Sequence, residues 1–288
     1  MSAATLLGTM AVGCSDNKVE KPSARNWDVA IEAVMEGGTR TEATIENINH
    51  DFSTEDRVYV YNATKKSLLD GCLKPSSGGS SATTLLSDGS LNGIVEVGDE
   101  LIMTYIPFNW SPDEQSIFLK VKEFRYNPWY GAPPISSSCI GYYQTGEQSK
   151  IMNYDYAESH VMVESTKGGI IQVSGKVAEF THLQSIFQLS FRFVDEGGND
   201  IVPDARNIDN ESLRIAFWDD SLQGIQDMIS FQPTIMDGEI YLALPILPQD
   251  NVTRLIISIG EYEGSMNAPE GKFHNGKIYC PTEPIVMK

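Results

Sequence analysis

Residues 170–193, IIQVSGKVAEFTHLQSIFQLSFRF, leave a chain of this kind few ways to fold. From Ser185 onward Phe187, Leu189, Phe191 and Phe193 alternate with Gln188, Ser190 and Arg192, which is the period of a strand with one wet face. A helix would scatter the same residues around its circumference. Burying four such side chains contributes roughly 1.5–3 kcal/mol each before chain entropy is subtracted, so the strand must lie against a second layer. Just upstream, Ile171, Val173 and Val177 repeat the alternation, with Thr181-His182 as the expected turn. The pair reads as the central hairpin of a β-sandwich with Phe187, Leu189, Phe191 and Phe193 inside.

Similar short runs recur along the chain. Residues 28–35 place Val29, Ile31 and Ala33 on one side and close at Gly37-Gly38; residues 43–48, 57–61, 101–106, 117–121, 213–218, 239–244 and 254–259 also read as strands. The SSGGSS run at 76–81 has no strand-to-helix context and no Lys, so it reads as a loop. The 288 residues have room for two cores, since one core usually serves about 100–150 residues. The expected class is all-β: two tandem Greek-key sandwiches, at 28–155 and 156–288, after a signal segment (1–13) and a flexible tether (14–27).

That leader rests on a short apolar run, Leu6 to Gly13, that ends in small residues directly before Cys14. Ala11-Val12-Gly13-Cys14 resembles a bacterial lipobox, with Ala11 where Leu or a similar residue is usual and without a basic stretch at the start. The resemblance implies a diacylglycerol on the Cys14 sulfur and a third acyl chain on its amine. Several chains at about 0.8 kcal/mol per buried methylene anchor durably where one would not. The polar, aperiodic SDNKVEKPSARN that follows reads as a tether.

The net charge of −18 argues against nucleic acid or an anionic bilayer as an electrostatic partner. GKFHNGK (271–277) has the spacing of a phosphate loop, but Ile278 stands where Ser or Thr must hold magnesium, so no nucleotide or other cofactor is expected. His50, His160, His182 and His274 are dispersed without ligand spacing. Asp195 to Asp200, DEGGND, lacks the spaced ligands of a calcium loop and reads as a hairpin turn, so no metal site is expected. No catalytic residue stands out, and the chain does not read as an enzyme. Cys72, Cys139 and Cys280 allow one disulfide in three pairings or small buried thiols. The interval 109–143 is rich in Pro and aromatics; Tyr126, Trp129 and Tyr130 either stack on a glycan or pack beneath a long loop.

The run Phe180-Thr181-His182-Leu183-Gln184-Ser185-Ile186-Phe187 resembles a strand of the fimbrillin-like lipoproteins, surface and pilus proteins of gut and oral anaerobes. Thr39-Arg40-Thr41, Asp56 to Tyr61 (DRVYVY), Gly98-Asp99-Glu100-Leu101, Tyr154-Asp155-Tyr156-Ala157 and Gly271 to Tyr279 (GKFHNGKIY) resemble the same family in the same order. The resemblance implies two transthyretin-like domains and an outer-membrane, surface-exposed or fimbrial lipoprotein with a structural or adhesive role. Its implied partners are the outer membrane, through Cys14, and either pilin subunits that lend strands to one another or a host or glycan ligand. The alternative is a monomeric glycan-binding lipoprotein. In pilus-forming relatives an Arg-specific protease removes the N-terminal piece, which makes Arg25 and Arg40 the candidate processing sites here.

Overall fold

Alternation produces the strand β2 (Asp28–Met35), where Asp28, Ala30, Glu32 and Val34 face solvent while Val29, Ile31, Ala33 and Met35 are buried. The computed structural model describes residues 23–35, 51–106, 144–149, 151, 157–182, 184–203, 213–231, 238–245 and 251–288. In chain order the strands are β1 (Arg25–Asn26), β2 (Asp28–Met35), β3 (Arg57–Asn62), β4 (Ser67–Leu68), β5 (Leu73–Pro75), β6 (Ala82–Ser87), β7 (Asn92–Gly93), β8 (Glu100–Ile106), β9 (Ala157–Ser165) and β10 (Ile170–Val173). They continue with β11 (Val177–His182), β12 (Gln184–Leu189), β13 (Phe191–Phe193), β14 (Leu213–Asp219), β15 (Gly224–Phe231), β16 (Ile240–Pro245), β17 (Arg254–Ile259), β18 (Tyr262–Asn267), β19 (Ile278–Tyr279) and β20 (Ile285–Met287). The class is all-β in several sheets, as the alternation requires.

The first core lies inside a ladder that closes on itself. Its order runs β2, β11, β9, β8, β3, β5, β6 and back to β2 through the antiparallel β2–β6 pair. Closure removes edges that would otherwise present unpaired backbone groups. Trp27, Ile31, Met35, Phe52, Val58, Leu85, Met103 and Phe180 are among the side chains packed inside. Phe52 meets both Tyr105 and Phe180 edge-on, at 5.6 and 6.1 Å between ring centroids. The SSGGSS segment is a loop, pinned where Phe52 N–H donates to Ser80 O and Gly79 N–H to Phe52 O, each 2.9 Å.

The second core is enclosed between two layers. One is the four-stranded sheet β15-β14-β17-β18, which supplies Leu213, Ile215, Phe217, Leu255, Ile257 and Ile259; the other is β16-β12-β19, which supplies Phe187, Leu189, Ile240, Leu242 and Leu244. A short parallel pair, β13 with β20, completes it.

The expected central hairpin does not form. β11 pairs with β2 and β9, whereas β12 pairs with β16 and β19, so residues 170–182 belong to the first ladder and residues 184–189 to the second half. The first core accordingly runs as far as Phe180, and the second begins at Phe187. The sequence division after residue 155 is therefore too early: Ala157, Val161, Val163, Ile171 and Val173 all pack in the first core. Two apolar alternations adjacent in sequence look like a hairpin whether they pair with each other or with strands far away. The strand also ends sooner than its alternation suggests. Phe187 and Leu189 are fully buried, but Phe191 and Phe193 sit half-buried in the separate β13, because Ser190 O accepts Ile285 N–H and redirects the chain.

Within β12 the burial contrast is testable. Leu189→Ala is expected to cost about 2–5 kcal/mol and Gln188→Ala under about 0.5 kcal/mol in urea melts, because the first opens a cavity and the second trims a half-exposed side chain. Equal losses at the two positions would mean that β12 faces the other way.

Candidate functional site

The two most distinctive sequence motifs, about ninety residues apart, meet in one place. Ser185 to Phe187 run beside Lys277 to Tyr279, with β12 and β19 paired in parallel at Ile186↔Ile278 and Phe187↔Tyr279. Phe187 stacks on Tyr279 at 4.8 Å, Phe273 meets Phe187 at 5.4 Å and Tyr279 at 4.9 Å, and the three rings make a small aromatic knot. Around it Ser185 Oγ donates to His274 O (2.6 Å), His274 N–H donates to the Tyr279 hydroxyl (2.7 Å), and Ile186 N–H donates to Lys277 O (2.9 Å). Burial is the main cause that pushes the Tyr279 hydroxyl pKa up.

The same loop reaches back to the first half. Asn275 Nδ2 donates to His182 O at 2.9 Å and Gly276 N–H to Gln184 O at 3.1 Å. Gly276 has φ +67°, a left-handed backbone that strains a residue with a side chain, and its place beside His182 puts a Cβ in ordinary contact with His182 Cβ at 3.4 Å. GKFHNGK is thus a turn entering a strand, with Phe273 buried, rather than a phosphate cradle opening a helix. Its chemistry is that of a joint: side chains bound to backbone across the crossover from one core to the other.

A second feature is the seat of β2. Along one side β2 pairs antiparallel with β6, from Ala30↔Leu86 to Val34↔Ala82; along the other it runs parallel to β10 and β11, from Ile170↔Asp28 to Phe180↔Met35. Met35 N–H donates to Ser81 O (2.7 Å) and Val29 N–H to Ser87 Oγ (2.9 Å). The strand nearest the N-terminus of the ladder therefore lies between neighbours on both sides, and its removal would open two edges and four pockets at once.

Arg25 lies outside any flexible tether, contrary to the sequence reading. Arg25 and Asn26 form β1 against Asn92 and Gly93 of β7, and Trp27 is buried with its Nε1–H on Gly93 O at 2.9 Å. The Arg25 guanidinium lies 3.9 Å over the Trp27 ring and donates to Thr166 O at 3.2 Å. The buried indole is what draws the preceding residues onto the domain. Cys14, Arg40, Tyr126, Trp129 and Tyr130 lie outside the described residues, as does His50.

The remaining candidates resolve into structural roles. In the DEGGND turn, Asp195 Oδ1 accepts Asn199 N–H (2.8 Å) and Asp200 pairs with Arg192 (2.6 Å). His160 sits beside Glu100, Nδ1 to Oε1 3.0 Å. Among the described residues no group of three or more His, Cys, Asp or Glu side chains is arranged to hold a metal. Cys72 and Cys280 are free thiols, so they do not pair with each other, and burial pushes both pKa values up, away from reactive thiolates. Two positions escaped sequence reasoning altogether, Gln144 and Gly264. A glycine inside a strand is a signal of close approach that can be read in advance; nothing in the sequence marks Gln144.

No protein-family model and no curated protein matches the chain. Among solved structures it is similar to a fimbrial assembly protein from Parabacteroides distasonis, 11% identical over 90% of this chain and 91% of that one, with a TM-score of 0.40. It is also similar to the C-terminally truncated tip fimbrial protein Mfa3 from Porphyromonas gingivalis, 8% identical over 92% of this chain and 98% of that one, with a TM-score of 0.36.

Proposed function

We propose that this chain is a cell-surface lipoprotein of the fimbrillin-like class, a structural or adhesive component of fimbriae or of the outer-membrane surface. It is anchored through Cys14 and able to accept a neighbour's strand at the seat of β2. The observation that carries the reading is that seat: a strand near the N-terminus, alternately buried and paired on both sides, upstream of an arginine at position 40. Cutting after Arg40 removes β2 with the leader; cutting after Arg25 leaves it in place. The ordered motifs from Thr39 to Tyr279 support the same class, and the small residues before Cys14 support the anchor.

Anchoring is tested first. Cys14→Ala is expected to move the protein from the membrane fraction to the soluble one and to abolish incorporation of labelled palmitate. A variant that still sediments with membranes, together with a wild type that takes up no label, would remove Cys14 from the account.

A further inference from the structure

β16 is the outer strand of β16-β12-β19, and among the described residues it pairs with β12 alone. An outer strand of this kind normally presents a row of free N–H and C=O groups to any chain that can add to it. Here the row is occupied. On the side away from β12, Tyr241 N–H donates to Gly146 O at 2.9 Å and Ala243 N–H donates to Gln144 Oε1 at 2.7 Å. The Gln144 Nε2 group donates back to Ala243 O at 2.9 Å, and the next outward position is Pro245, which has no N–H.

The Gln144 side-chain amide thus supplies one donor and one acceptor to one residue, as a paired residue in an antiparallel strand would. It is only 1% exposed, so these bonds form away from water, where leaving the Ala243 groups unmet is costly. Gln144 comes from the connection between β8 and β9, two strands of the first ladder, so the first half of the chain closes an edge that belongs to the second.

We infer that Gln144 acts as a surrogate strand, sealing the β16 edge against a second copy of this chain that would otherwise add there through its own β16. An antiparallel pair of β16 edges is self-complementary: Ala243 can exchange its N–H and C=O with Ala243 of the second copy, and its small side chain allows close approach. The seal is separate from the β2 seat, and its outcome does not depend on whether that seat exchanges strands.

Gln144→Ala removes both bonds, and Gln144→Met removes them while nearly keeping the side-chain volume. In the full chain, hydrogen exchange at the Ala243 amide is expected to speed up about tenfold or more in both variants, the change expected for loss of a buried hydrogen bond. Amides of Val60 and Met103, in β3 and β8, should stay as protected as in wild type. Light scattering after size exclusion should show a dimer in the variants that grows with concentration, where wild type stays monomeric. If Gln144→Ala fails to fold, the Met variant carries the test. An Ala243 amide as slow as in wild type, or a freely exchanging Ala243 amide in a chain that stays monomeric at every concentration, would overturn the inference.

Discussion

Gly264→Val is expected to expel β20 from the second core. Gly264 lies in β18 opposite Ile257, and β20 packs closely against it. A Cβ at this position would stand 2.6 Å from Met287 Sδ, 2.7 Å from Val286 O and 2.9 Å from Ile285 Cγ2. The methionine sulfur can swing aside, but the Val286 carbonyl belongs to backbone fixed by β20 pairing with β13 and by the Glu263–Lys288 bonds, 3.0 Å in each direction. The clash is therefore relieved only by moving the strand. Ile285 and Met287 are buried, and exposing both forfeits roughly 3–6 kcal/mol at about 1.5–3 kcal/mol per side chain. Carboxypeptidase should release Lys288 and Met287 quickly from Gly264→Val and slowly from wild type, with a matching fall in melting temperature. Adding Met287→Ala should recover only part of the loss, since the carbonyl remains. A valine variant with wild-type melting and an undigested C-terminus would show that the backbone yields where we expect it to hold.

Much of this was legible because alternation is a local property. β2 and β17 fall where their patterns place them, β3, β8 and β14 differ from expectation only at an end, and β16 is displaced by a single residue, since a face of each strand meets a core. What alternation lacks is the identity of the partner. Ile171, Val173 and Phe180 look the same whether they pack with Phe187 or, as they do, with Ile31 and Phe52. β18 was missed for the opposite reason: YEGSMN has little strand preference of its own, and it pairs because β17 needs a neighbour and Gly264 lets β20 pass. The Arg25 reading failed because polar composition suggests a tether, whereas one buried tryptophan two residues later is enough to draw the chain onto the domain. The joint between FTHLQSIF and GKFHNGKIY could be named as two motifs but not as one site, because nothing in either indicates that Phe187 lies on Tyr279.

The largest effect is expected from removing β2. Val29, Ile31 and Met35 are each no more than 5% exposed, and at about 1.5–3 kcal/mol apiece their burial contributes on the order of 4.5–9 kcal/mol. That is comparable to the whole stability of an ordinary domain, roughly 5–15 kcal/mol. A chain beginning at Thr41 should therefore be unable to persist as a folded monomer; with its seat empty between β6 and β11, it should either unfold or fill the seat from another copy. Adding a peptide of sequence DVAIEAVM should restore a folded monomer, and the same peptide with Ile31→Asp should not, because that side chain enters the core. Proteolysis of the intact chain reaches the same state by another route. The strand pairing of Arg25 and its stacking on Trp27 should protect that bond from an Arg-specific protease, which needs a locally unfolded, unpaired substrate. A new N-terminus at Thr41 accompanied by ladders of oligomers is the expected result. A Thr41 chain that melts like the intact protein and stays monomeric would mean that β2 is dispensable, and assembly through its seat would have to be abandoned.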